Sequence, residues 1–95
     1  MNTNDLKKMG FTLYNTGGSC FQYYYSHGVS DDSAYLLISD LEGELLQDGV
    51  EYSDVAIGVY TVNGDFTLML ELDNDNIETG IDTALNLIKL PIYSD

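Results

Sequence analysis

The sequence predicts an α+β domain, an antiparallel sheet of about five strands with a C-terminal helix packed on one face and a short N-terminal helix. Three observations carry this. Residues 55–72 read VAIGVYTVNGDFTLMLEL, two alternating runs around Asn63-Gly64, which is a strong local signal for a two-residue type I′ hairpin. Ile77, Ile81, Ala84, Leu85 and Ile88 recur at helical spacing and form one apolar stripe. The other apolar runs are short and punctuated by turn residues, and 95 residues suffice for one core and hardly for two.

In chain order, residues 2–9 predict a short helix with Thr3 as N-cap and Leu6 and Met9 on one side. Gly10 ends it, and Lys7 and Lys8 suit the negative end of its dipole. Residues 11–15 and 20–25 predict two strands around the turn Thr16-Gly17-Gly18-Ser19. Phe11, Leu13 and Asn15 alternate with Thr12 and Tyr14. Phe21, Tyr23 and Tyr25 share one side of the second strand, and Cys20, Gln22 and Tyr24 the other, so both sides carry rings. Residues 26–33 predict a loop carrying His27, Asp31 and Asp32. AYLLIS at 34–39 is too apolar on both sides for an isolated edge strand. Asp40-Leu41-Glu42-Gly43 and Asp48-Gly49 predict turns, with 44–47 as a short partner segment between them.

In the hairpin, a two-residue turn sets Val62 opposite Asp65. Counting outward then pairs Thr61 with Phe66, Val59 with Leu68, Ile57 with Leu70 and Val55 with Leu72. These paired side chains share one face, since the strand period is two, and that face is expected to meet the helix stripe. Asp75 as N-cap with Glu78 three residues on resembles a capping box. Gly80 weakens the helix by roughly 1 kcal/mol relative to Ala. Leu90-Pro91 stops it, and the tail to Asp95 packs through Ile92 and Tyr93 or frays.

Charge is the unusual feature. Sixteen Asp and Glu face three Lys and one His, for a formal net charge of -13, and between Met9 and Ile88 there is no Lys or Arg. The carboxylates therefore lack partners within the chain and are expected in water, because an unpaired buried charge is prohibitive. Such a surface repels nucleic acid and anionic membranes and steers basic partners toward itself. No apolar run is long enough to span a bilayer, and no signal-peptide pattern opens the chain. The single cysteine cannot form an internal disulfide, in keeping with a reducing cytosol. Charge repulsion favours a monomer, although an uncovered edge strand offers a route to pairing.

The residues that carry chemistry argue against an enzyme. Cys20 and His27 are the only thiol and imidazole, and acidic surroundings raise rather than lower a thiol pKa, so Cys20 reads as a packing residue. One Cys and one His do not make a structural zinc site. Asp73, Asp75 and Ile77 begin like a calcium loop. However, the third ligand position is apolar, and the following glycine and the closing glutamate are missing. Asp40, Glu42 and Glu44 offer only weak chelation. Carboxylate pairs for glycoside hydrolysis need a cleft that a chain this short rarely builds. Gly17-Gly18 joins two strands rather than a strand and a helix, so it is a turn and not a phosphate loop. No cofactor and no metal are expected.

Recognition by charge remains. Same-face residues on a strand stand about 6.6 Å apart, close to the spacing of neighbouring phosphates on DNA, so a folded acidic surface can occupy a groove built for a duplex. The partner-binding candidates are Asp31 and Asp32, then the run Asp40, Glu42, Glu44, Asp48, Glu51 and Asp54. Exposed ion pairs alone are weak, so Tyr24, Tyr52 and Tyr60 are the aromatic anchors. Asp73, Asp75, Glu78 and Asp82 form a secondary acidic cluster.

Through its whole-chain charge and its FTLYNTGGSCF and YLLISDLEGELL stretches, the chain resembles small, strongly acidic proteins of phages and mobile elements. Among these it is similar in type to the anti-CRISPR inhibitors that mimic DNA. The resemblance implies a non-enzymatic inhibitor, cytoplasmic in an infected or element-bearing bacterial host. Such an inhibitor would bind a CRISPR effector subunit and block its DNA site, with no direct contact to nucleic acid. The alternative is an acidic structural or adaptor domain that binds proteins through a tyrosine-rich sheet face.

Overall fold

The computed structural model describes residues 1–18, 20–26, 34–61 and 63–89, with residues 16, 17 and 20 given by their backbone alone. The elements run α1 (Thr3–Lys8), β1 (Thr12–Gly17), β2 (Cys20–Ser26), β3 (Tyr35–Ser39), β4 (Asp54–Tyr60), β5 (Phe66–Asp73) and α2 (Ile77–Leu87). The strands form one antiparallel meander in the order β1-β2-β3-β4-β5, so every strand pairs with its neighbours in sequence. This is the α+β architecture that the alternating runs and the apolar stripe predict.

Strand periodicity decides the inner face. Tyr23 pairs with Ile38, Leu36 with Val59, and Ile38 with Ile57. Leu36, Ile38, Val55, Ile57 and Val59 are fully buried there. On this face α2 lays down Ile77, Ile81, Ala84 and Ile88, while Leu6 of α1, Phe11 and Leu46 complete the same cluster. Asp82 and Asn86 face water, as the stripe requires. The connection from β3 to β4 stays irregular, without the partner segment expected at 44–47, and contributes Leu46 as a buried plug.

Both helix starts differ from expectation. The cap of α1 is Asn2, not Thr3. Asn2 Oδ1 accepts the Asp5 N–H at 3.1 Å, and the Asp5 carboxylate accepts the Asn2 N–H at 3.0 Å, a reciprocal capping box. Thr3 is thereby moved into the first turn and buried. At α2 the N-cap is Asn76 rather than Asp75, and its side chain makes no cap bond. Asn76 instead reaches back to accept the Asp73 N–H at 2.7 Å, while Asp73 accepts the Asp75 N–H at 3.2 Å. Local side-chain bonding within the turn outcompetes capping. Gly80 earns its place by packing, since a Cβ there would lie 2.2 Å from Leu72 Cδ2.

The β4–β5 hairpin follows the predicted register for Val55–Leu72, Ile57–Leu70 and Val59–Leu68, then departs from it. Tyr60, not Thr61, pairs with Phe66, across an irregularity that leaves Thr67 as the extra residue. Thr67 Oγ1 donates to the Val59 carbonyl at 2.8 Å and secures the bulge. The turn is closed by the Gly64 N–H on the Thr61 carbonyl and the Thr61 N–H on the Asp65 carbonyl, both 2.9 Å. Gly64 has φ 85°, whereas no described non-glycine residue has positive φ, so Asn63 does not adopt the type I′ conformation. A three-residue loop with glycine in the left-handed position replaces the two-residue turn. The bulge removes Phe66 from the inner row and puts it on the outer face beside Tyr60. The expectations for Val62, for His27 and its loop, and for the tail from Leu90 to Asp95 fall outside the described residues.

Candidate functional site

Two surfaces emerge from this frame, and the first is an acidic end. At the end of the sheet where β3 finishes, β4 begins and β5 finishes, the register sets Asp54 directly opposite Asp73. Like charges in that position oppose pairing, and no cation lies between them among the described residues. The same end carries the loop with Asp40, Glu42 and Glu44 and the β5–α2 turn with Asp75, followed by Glu78. Two acidic runs separate in sequence thus become one region in space. Between α1, residue 51 and the β5–α2 turn lies a cleft of about 310 Å³, lined by Asp5, Glu51, Asp75 and Glu78 alongside Met1, Met9 and Ile77. Asp82 is exposed one helical turn beyond Glu78. Asp31 and Asp32 fall outside the described residues.

The predicted acids divide by what they do for the fold. Asp48 Oδ1 accepts from Thr3 Oγ1 at 2.5 Å and from the Tyr23 hydroxyl at 3.3 Å, with Lys7 Nζ 3.7 Å away. The Thr3 hydroxyl first, and the Lys7 charge second, hold its carboxyl below the ordinary carboxylate range. The Glu51 carboxylate meets the Met1 amino group and the Asn2 side-chain amide. Asp40 Oδ1 accepts the N–H groups of Glu42 and Glu44, both at 2.9 Å, and shapes that turn. Glu42, Glu44, Asp54, Asp73, Asp75 and Glu78 are exposed and make no ion pair among the described residues.

The second surface is the outer face of the sheet, which no described element covers. Each strand contributes one ring to a continuous row. Tyr14 and Tyr24 have centroids 4.6 Å apart, Tyr24 and Tyr35 5.3 Å, Tyr35 and Tyr60 4.9 Å with planes within 2°, and Tyr60 and Phe66 5.6 Å edge to face. Burial, then the neighbouring Tyr60, Tyr24 and Tyr14 hydroxyls, push the Tyr35 phenol up from its ordinary value. Below the row is a shallow trough of about 330 Å³, lined by Gln22, Leu37, Ser39, Gly43, Gly58, Tyr60 and Met69. Gln22 Nε2 donates to the Gly43 carbonyl at 3.1 Å, but Gln22 Oε1 is shielded from solvent and has no donor. Asp54, Glu71 and Asp73 share the strand parity of Gly58 and Met69, so the outer face runs from aromatic to acidic along β4 and β5.

No family model, curated protein or solved structure matches the chain.

Of the predicted anchors, Tyr24 and Tyr60 stand in the ring row and Tyr52 does not. The Tyr52 hydroxyl accepts the Gln47 N–H at 2.9 Å, and its half-buried ring packs against the core, where it fastens the β3–β4 connection. Sequence reasoning passed over Tyr14, Tyr35, Phe66 and Gln22. The parity of Tyr14 and Tyr35 with Tyr24 and Tyr60 was the available signal once strand pairing was known. Phe66 had none, because a bulge decides its face. Asp5 was also missed as a cleft residue, since only tertiary folding brings α1 beside the β5–α2 turn. Among the described residues no group of three or more His, Cys, Asp or Glu is placed to hold a metal ion, and no helix is long and apolar enough to cross a membrane.

Proposed function

We propose that the protein is a non-enzymatic inhibitor that sets its acidic end into the basic DNA-binding groove of a nucleic-acid-processing complex. A CRISPR–Cas effector is the first target to test, because that is what the sequence resemblance implies. The observation that carries this reading is the pairing of Asp54 with Asp73, which joins two acidic runs in one region with no counter-cation among the described residues. Repulsion there is relieved when a Lys- or Arg-lined groove closes over it, as it is between phosphates and their own protein partners.

The test is competition with duplex DNA for the effector. Mutually exclusive binding is expected. The double change Asp54→Asn and Asp73→Asn should slow association and flatten its salt dependence while the fold gains at most about 0.5 kcal/mol from lost repulsion. Binding that leaves the affinity for DNA unchanged would overturn the reading. The ring row favours a second reading, an adaptor domain docking through its outer face. Salt-insensitive binding with large losses on Tyr14→Ala would select it.

A further inference from the structure

We infer that the outer face of the sheet reads arginine, taking an extended basic segment of the partner across the strands. The inference rests on the partner being basic and specifies which basic side chain makes contact. Two observations lead to it. The first is the geometry of the row. Tyr24, Tyr35 and Tyr60 each have a ring on both sides, whereas Tyr14 and Phe66 end the row on the two edge strands, each with a ring neighbour on one side only among the described residues. These two rings are 49% and 54% exposed, so the free aromatic faces lie at the ends. Four strand spacings separate them, roughly 19 Å, which an extended segment crosses in about six residues.

The second observation is charge. Nucleobases also stack on aromatic rows, but a chain of net charge -13 with Asp54, Glu71 and Asp73 on the same face repels a phosphate backbone, and repels a second copy of itself. Arginine satisfies both features: its guanidinium plane stacks on a ring, and its charge complements the border. Lysine supplies the charge and N–H donors but has no plane to stack.

The probe is a capped heptapeptide with arginine at its first and seventh positions, which share one face of an extended segment, and glycine or serine between, compared with its lysine counterpart by NMR titration. The arginine peptide should shift the ring resonances of the row and bind at least about three-fold more tightly than the lysine peptide. Tyr14→Ala and Phe66→Ala, both at exposed ends, should each weaken the arginine peptide by about two- to five-fold and the lysine peptide less. A single cooperative unfolding transition in each variant, with its midpoint lowered by no more than about 8 °C, separates this from misfolding. Equal affinity for the two peptides, or indifference to both ring truncations, overturns the inference. If binding is then lost only on Asp54→Asn with Asp73→Asn, the acidic end stands without it. An arginine preference that persists where the DNA competition fails supports this inference and removes the other reading.

Discussion

The two faces of the sheet are both hydrophobic, yet they solve the problem of water differently. The inner face uses branched aliphatic residues, Leu36, Ile38, Ile57 and Val59, which are fully buried because the two helices and Leu46 lie over them. The outer face has no such cover among the described elements. Its rings cover one another sideways, one from each strand, and leave Tyr14, Phe66 and Met69 about half exposed. Aliphatic side chains gain little from lateral contact alone, whereas a ring pair adds about 0.5–1.5 kcal/mol beyond its burial. A face built from rings can therefore hold itself in order while staying available to a partner.

The contrast breaks most sharply under truncation. Ile57→Ala should cost about 2–5 kcal/mol, a large part of the total stability of a domain this size, because it removes buried contacts and leaves a cavity. Phe66→Ala should cost only about 1 kcal/mol, the worth of one edge-to-face contact. Urea midpoints of the two variants measure the difference. A loss at Phe66 equal to that at Ile57 would mean that the outer face is a second core and not a surface.

Two glycines sharpen the same comparison. On the inner side, a methyl at Gly80 would sit 2.2 Å from Leu72 Cδ2 and 2.9 Å from Leu72 Cδ1, both within the core. Gly80→Ala gains about 1 kcal/mol of helix propensity but overpacks by about 1–3 kcal/mol, so a net loss of up to about 2 kcal/mol is expected. In a Leu72→Ala background the space exists, and the same change should become stabilising. On the outer side, a methyl at buried Gly58 would meet Tyr60 Cε1 at 3.1 Å and Met69 Cε at 3.7 Å, so the Tyr60 ring between Tyr35 and Phe66 has only to shift slightly. Gly58→Ala should cost less than Gly80→Ala and stay within about 1 kcal/mol of the parent. A double-mutant cycle at Gly80 and Leu72 that shows no coupling would refute the packing account.

The inner face was legible in the sequence because its signal is periodic. Val55, Ile57 and Val59 repeat every second residue and Ile77, Ile81, Ala84 and Ile88 at helical spacing, and these patterns survive small errors in turn type. The outer face was legible only in part. Tyr24 and Tyr60 stand out in the sequence as anchors, but the row requires register across all five strands, and Phe66 enters it through the Thr67 bulge. Nothing local announces that bulge, since the Asn63-Gly64 dipeptide points to a tighter turn than the one that forms. The carboxylates behaved likewise. Their abundance was plain, but whether each serves the fold or the solvent depends on tertiary neighbours, as Asp48 and Glu51 illustrate. Tyr52 stands apart from the row for the same reason, because only the folded loop supplies the Gln47 N–H that its hydroxyl accepts.

The division among carboxylates gives the smallest effect and the most discriminating one. Asp48 belongs to the inner side, tied to α1 and β2 through Thr3, Lys7 and Tyr23, and the Thr3 hydroxyl is the largest cause of its lowered pKa. The folded state therefore holds this proton less tightly than the unfolded chain does. The stability from Asp48 is complete above the ordinary carboxylate range and is lost as pH falls through the lower, folded value. Thr3→Val removes the hydroxyl while leaving Asp48 solvated, so the loss of stability on the acid side should flatten relative to the parent. Urea midpoints followed from about pH 6 to about pH 2 measure the difference. If the Thr3→Val and parent curves run parallel to the acid limit, Asp48 contributes nothing to the fold and becomes one more carboxylate of the acidic end.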